Sequence, residues 1–442
     1  MMKKAIYLCV LLLLTACQAK DQQSSQEEAS LSSAEVTSHS EEAAAEPEPL
    51  TLSEPLAGLP AKTTYEPWEG EANRFVIRSV GDVLIHDRVS HLADTSHELY
   101  QAAKAQMPAE VYGFEPVAAD FLAEGYDFDP MVWHIAPFVA YADLSIANLE
   151  VIAASPQLPM AGYPQFNAPR AILTTLKKLG IDHVTNGSNH TLDWYGEGAR
   201  TSIENISEVG LTYSGSYASW EDYAQPRIYE ANGLKVGLLT YSYGTNGMPI
   251  PPGEEYLISL TDLDIMLEEI AQVQNQCDAM VVTLQLGPEY DPWPDATQEH
   301  VFQALADAGV DVILGGHPHV LQPLVWLNEG GSFGIYSQAS FVSGQEDLSN
   351  KQGGITEIVL EKAADGQVSV TDVSFMPIFM LGVRDEKMYE TVPLADYDYY
   401  QIPDGASWWS ELAERMQAFT TEVNYVTHLE TAWTEATDST FR

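Results

Sequence analysis

Two histidines one residue apart, in Gly315-Gly316-His317-Pro318-His319, are the most specific chemical feature of this sequence. The glycines and the rigid proline let both imidazoles face one point from a single loop. Imidazole combined with carboxylate and amide oxygens suits a first-row divalent ion. Candidates for those oxygens stand in three other short clusters. Gly81-Asp82 is followed closely by His86 and Asp87, Asn148-Leu149-Glu150 comes next, and Asn189-His190 lies within the run Val184 to Asp193. An Asn beside a His offers a carbonyl oxygen to a metal and an imidazole for proton transfer, side by side. Any one cluster alone reads as an ordinary turn or surface group; all four at strand ends read as a site.

The elements that must position these clusters are short apolar strands alternating with amphipathic helices. Phe75 to Val80 is a strand that ends at Gly81-Asp82, Leu144 to Ala147 precedes Asn148, Ile181 to Val184 precedes the Asn189-His190 turn, and Val310 to Leu314 precedes the histidine pair. Lys235 to Thr240 and Ala279 to Leu284 are further strands. Helices are predicted from Pro169 to Lys178, Gly198 to Glu208, Thr261 to Gln276 and Gln298 to Ala308. Continuously apolar strands in a βαβ rhythm indicate sheets covered by helices, and open α/β sheets place ligands at the carboxyl ends of their strands. Later strands, Phe333 to Tyr336, Ile355 to Leu360 and Val368 to Phe375, follow one another without helices, so an antiparallel portion closes the domain. A helix from Ser407 to Val423 follows.

The 442 residues carry 64 acidic and 20 basic side chains, a net charge of -44. Such a polyanion does not gather phosphate backbones by counterion release, which excludes nucleic acid as a partner. Lys3 and Lys4 before the apolar run Ala5 to Leu14 form an export signal too short for a mature span. The run ends in Leu14-Thr15-Ala16-Cys17, which resembles a lipobox; that resemblance implies cleavage after residue 16 and a lipid anchor on Cys17, facing the outside of a bacterial cell membrane. Residues 17–72 then read as a disordered acidic tether, poor in aromatic and β-branched residues and rich in Pro. The core domain is expected over 73–383, and 384–442 as a helical extension packed on it. Cys277 is the one thiol left to the folded part, so no internal disulfide holds it.

From Phe75 to about Met380 the chain resembles the CapA family of poly-γ-glutamate capsule synthesis. The resemblance is carried by Gly81-Asp82-Val83-Leu84-Ile85-His86-Asp87, by Ala142 through Glu150, by Tyr163-Pro164-Gln165-Phe166-Asn167-Ala168-Pro169, by Ser188-Asn189-His190-Thr191-Leu192-Asp193, by Tyr241 through Gly247, and by Gly316 through Pro323. That family is similar to calcineurin-like metallophosphatases. The resemblance implies an α/β fold of two stacked mixed β-sheets flanked by helices, a four-layer αββα arrangement. It implies Asp82, Glu150, Asn189, His317 and His319 as metal ligands, with His86 and Gln285 as further candidates, and His190 as the proton-transfer or electrostatic group. Asn148, Asn167, Tyr243 and Asn246 are the matching loop and substrate positions. One or two divalent ions, of Mn, Fe or Zn, are expected.

The chain departs from the family pattern in two places. The usual His-Trp-Gly is Gln285-Leu286-Gly287, which replaces a ligand histidine by a weaker amide. The usual Ser-Leu-Gly-Asn-Phe is Ser337-Gln338-Ala339-Ser340-Phe341. Two functions follow. One is metal-dependent hydrolysis or transfer on an anionic surface polymer such as polyglutamate. The other is a non-catalytic accessory role that guides polymer during assembly beside the polymer synthase complex.

Overall fold

The computed structural model describes residues 68–107, 117–384 and 386–431. The export signal, Cys17 and the tether up to residue 67 lie outside the described residues. Order is already present at Trp68, within the stretch assigned to the tether. Its indole N–H donates to Asp143 (2.7 Å) and its ring meets Tyr141 edge-on at 4.5 Å.

Four strands build the first half of one sheet: β1 (Arg74–Leu84), β2 (Leu144–Leu149), β3 (His183–Thr185) and β4 (Thr212–Ser214). The chain then moves to a second sheet with β5 (Arg227–Ala231), β6 (Leu234–Ser242), β7 (Ala279–Gln285), β8 (Val312–Gly316), β9 (Gln322–Leu327) and β10 (Ser332–Ser337). It returns to the first sheet with β11 (Ser340–Ser343), β12 (Gln352–Lys362), β13 (Val368–Met380), β14 (Thr391–Pro393) and β15 (Asn424–Tyr425). The first sheet runs β14-β13-β12-β1-β2-β3-β4, with β11 beside the end of β1 and β15 on β13. The second runs β5-β6-β7-β8-β10-β9. Both are mixed: β1 to β4 and β6, β7, β8 and β10 pair in parallel, while β12, β5 and β9 join antiparallel.

Alternation of side chains along each strand separates three cores. Between the sheets Phe75, Ile77, Leu144 and Ile146 of the first meet Leu238, Val281, Val312 and Leu314 of the second. The outer face of the first sheet packs under Phe138, Leu173 and Leu176 and their helices, and that of the second under Met266, Ile270, Val301 and Phe302. The result is the expected two stacked mixed sheets with helices outside. No helix among the described residues is long and apolar enough to cross a membrane.

The structure differs from the sequence reading in three places. β1 does not stop at Val80: it runs on to Leu84 through a register shift next to Asp82, and such a bulge re-aims one side chain. The helix expected from Ser407 to Val423 spans Gly405–Met416. The segment after Arg384 also supplies β14 and β15, and Leu394, Leu412, Met416 and Val423 enter the inter-sheet core, so it completes the sheet as well as covering it.

One crossover stitches the sheets together. Between β10 and β11 the chain passes from one sheet to the other through Gln338 and Ala339. The Gln338 N–H donates to the Gly315 carbonyl (2.9 Å), and the Asp82 N–H donates to the Ala339 carbonyl (2.7 Å). A Cβ at Gly81 would stand 1.9 Å from the Ala339 oxygen, and one at Gly315 2.0 Å from the Tyr336 oxygen. Both positions therefore require glycine.

Candidate metal centre

Asp82 and Glu150 arrive from the carboxyl ends of β1 and β2 in one sheet, His317 and His319 from the turn after β8 in the other. All four are buried. His319 Nδ1 lies 2.9 Å from Asp82 Oδ2 and 3.6 Å from Glu150 Oε2, and His317 Nδ1 lies 3.8 Å from Glu150 Oε1. Glu150, His317 and His319 form a buried group whose ligand-type atoms lie within 4.8 Å of one another and could hold a metal ion. Both histidines adopt left-handed backbone, with φ of 92° and 59°. Strain of this kind persists only where the surroundings impose it. Here the Pro318 carbonyl accepts from Tyr290 N–H (2.8 Å) and the Gly316 carbonyl from Leu286 N–H (3.2 Å).

The electrostatics are those of a centre short of positive charge. Burial, and then the neighbouring Asp82, pushes the Glu150 carboxyl well above the ordinary range. Burial lowers the His317 imidazole, while at His319 the charges of Glu150 and Asp82 outweigh burial and raise it. Neither Glu150 oxygen has a hydrogen-bond partner, nor has His317 Nδ1, nor either amide atom of Asn189 and Gln285. Buried polar atoms left bare cost on the order of 1–3 kcal/mol each. A divalent cation would satisfy the Glu150 carboxylate and the two imidazoles at once, so the residues present fit one.

The remaining candidates divide. Asn148 Nδ2 donates to Asp82 Oδ1 (2.7 Å) and its carbonyl accepts from Thr185 Oγ1 (2.8 Å), which fixes the aspartate. Gln285 ends β7; its Oε1, Asn148 Nδ2 and Asp82 Oδ1 converge on the space over Gly316, within 3.1 Å of where a Cβ would stand. Tyr243 lies against His317, ring centroids 4.5 Å apart, and donates to Asn246 Oδ1 (3.0 Å) at the exposed rim. His86 is not part of the Glu150, His317 and His319 group. Gly344 N–H donates to its Nδ1 (3.1 Å), and burial pushes its imidazole down to about 4. Asn167 spends its amide on loop structure, accepting from Ala154 N–H (2.9 Å) and donating to the carbonyls of Leu158 and Pro159.

His190 is the part of the site with a partner that sequence reasoning passed over. Its Nδ1 lies 2.8 Å from Asp193 Oδ2, which also accepts Phe166 N–H (2.7 Å). Phe166 stands edge-on to the ring at 4.8 Å. The backbone is held as well: His190 N–H donates to Ser188 Oγ (3.1 Å), and Ser188 Oγ donates to the Glu150 carbonyl (3.2 Å). The His190-to-Asp193 spacing within one turn was the signal that could have found the pair. A carboxylate on Nδ1 fixes the tautomer and frees Nε2 for a reacting group.

Comparison with known proteins identifies the family. The chain is 25% identical over 256 residues to the capsule biosynthesis protein CapA of Bacillus anthracis, covering 56% of this chain and 61% of that one. It is 24% identical over 296 residues to the PGA biosynthesis protein CapA of Bacillus subtilis (strain 168), covering 62% of this chain and 75% of that one. It thus spans about three fifths of the first relative's length. A 5'-nucleotidase precursor from Thermus thermophilus overlays with a TM-score of 0.38 at 13% identity, over 77% of this chain and 60% of that one; an overlap that loose says nothing about activity. The sequence profile of the bacterial capsule synthesis protein PGA_cap matches residues 76–345, well over half of the protein. The chain belongs to the bacterial capsule synthesis family PGA_cap.

Proposed function

We propose that this protein is an extracytoplasmic lipoprotein of poly-γ-glutamate or capsule synthesis, anchored through Cys17, whose metal centre acts on a surface polymer by hydrolysis or transfer. The observation that carries the metal reading is Glu150. Its carboxylate is wholly buried, bare of hydrogen bonds, and flanked by an imidazole at each oxygen. Asp82, Glu150, His317 and His319 would hold the ion or ions, with Asn189 and the weaker amide of Gln285 as further ligands. A bound divalent ion supplies Lewis acidity and a water of lowered pKa. The chain's own residues do the rest. Asn148 orients Asp82, Asp193 holds His190 in one tautomer, and His190 Nε2 exchanges a proton with the reacting or leaving group.

The second reading, a polymer guide without turnover, is favoured by Gln285, which stands where the family pattern carries an imidazole. Metal analysis of the purified full-length chain, with hydrolysis of γ-glutamyl and phosphoester probes, separates the two. One equivalent or more of Mn, Fe or Zn, with turnover lost in His190→Ala, supports catalysis. Bound metal with no turnover on either probe class supports the guide, and less than stoichiometric metal sinks the metal reading altogether.

A further inference from the structure

The mouth of the centre carries a feature that its metal chemistry does not use. Tyr163, Tyr243 and Tyr290 are 79%, 44% and 54% exposed, and two of the rings lie against the histidines of the site. Tyr243 lies 4.5 Å from His317 and Tyr290 5.9 Å from His319, and Tyr163 lies 6.3 Å from Phe166, the ring that braces His190. The three come from three separate loops. The Tyr290 backbone is pinned by its bond to Pro318 and the Tyr243 hydroxyl by its bond to Asn246, so both residues are held in place. The exposed Glu289, next to Tyr290 in sequence, is the carboxylate whose charge bears most on both Tyr243 and Tyr290. Arg88, whose charge reaches His86, is bound to Glu346 at 3.0 Å.

Aromatic faces are negative, and rings set beside a carboxylate attract an ammonium group strongly and a carboxylate not at all. We propose that Tyr163, Tyr243, Tyr290 and Glu289 form a collar that binds an ammonium group. Resting on the polyglutamate reading above, we assign its ligand as the free amino terminus of a γ-glutamyl chain. Charge makes the assignment. A poly-γ-glutamate chain is anionic at every residue and cationic at one point, its amino end. A protein of net charge -44 repels the body of such a polymer. The collar selects the one end that it attracts, and so sets which end of the polymer faces the centre.

The test is calorimetric titration of the full-length chain with tetra-γ-glutamate bearing a free or an N-acetylated amino terminus, in chelator and again with manganese. The free amine is expected to bind about tenfold more tightly. Glu289→Gln and Tyr290→Ala should each reduce that preference several-fold, on the scale of an exposed cation–π contact. Should either variant fail to fold, tetramethylammonium is to displace the free-amine peptide from the natural chain where sodium at equal ionic strength does not. Equal affinity for the two peptides, no binding of either, or no displacement overturns the proposal. Metal content is measured on the manganese-treated samples, so a chain that takes up no manganese and still prefers the free amine overturns the metal reading alone.

Discussion

Glu150 sits between His317 and His319, with its Oε1 3.8 Å from one imidazole nitrogen and its Oε2 3.6 Å from the other. One carboxylate from β2 thus faces two side chains from the other sheet, and its charge state decides whether the sheets attract at this point. In the metal-stripped chain burial raises the Glu150 carboxyl. The folded state then holds its proton more tightly than the unfolded state, so this group's contribution to stability falls as pH rises above its unfolded value of about 4.3. Glu150→Gln should flatten that fall, read as urea midpoints between pH 5 and 8 in chelator. In metal-loaded protein the same substitution should instead lower the midpoint.

His183, which is not a ligand candidate, predicts the opposite sign. Burial, with the charge of Arg227 adding to it, pushes its imidazole down to about 3. Its Nε2 lies 2.8 Å from Ser214 Oγ and its Nδ1 2.5 Å from the Tyr229 hydroxyl. The unfolded state gains a proton below about pH 6.5 and the folded state does not, so stability drops as pH falls from 6.5 towards 3. The drop between pH 7 and 4.5 should be about 2–3 kcal/mol, and His183→Gln should remove that slope in chemical denaturation.

Asp193→Asn should lower turnover on the order of 10²-fold or more while metal content stays unchanged, because the imidazole loses its enforced tautomer. Elemental analysis alongside single-turnover kinetics checks the split. A fall in both together would place Asp193 in the structure of the site alone.

Gln285→His restores an imidazole at a position whose amide now has no partner. Metal affinity should rise about tenfold or more, and stoichiometry from one ion towards two, measured by chelator competition.

Ala339 predicts a stability gain. Its φ of 55° is left-handed backbone, in the crossover where the family pattern has glycine. Ala339→Gly should raise stability by about 0.5–1 kcal/mol in urea denaturation, strain relief exceeding the entropy lost by a freer unfolded chain. Gly81→Ala should abolish folding, since the added carbon meets the Ala339 oxygen.

Much of this centre was legible because its groups sit in short motifs at strand ends. The Gly316-His317-Pro318-His319 turn and Asn148-Leu149-Glu150 both land where periodicity places them. What escaped was tertiary. Asn167 lies in a matching motif yet folds its amide into its own loop, and the Nδ1 of His86 is taken up by the Gly344 N–H. Local spacing determines which residues are near in sequence, but the bulge in β1 and the crossover at Ala339 decide which ones face the centre. Asp193 was written beside His190 throughout; only the turn shows that its carboxylate, and not its backbone, meets the ring.

The seam at Gln338 and Ala339 also has a consequence in time. Asp82 and His319 meet across 237 residues of sequence, and contacts so distant form after local ones. The carboxylate pair of one sheet and the histidine pair of the other stay apart until both sheets have docked around that crossover. A cation captured there latches the halves together, and its binding free energy adds directly to the stability of the finished fold. The availability of that ion would then govern how much protein survives, before it governs any reaction.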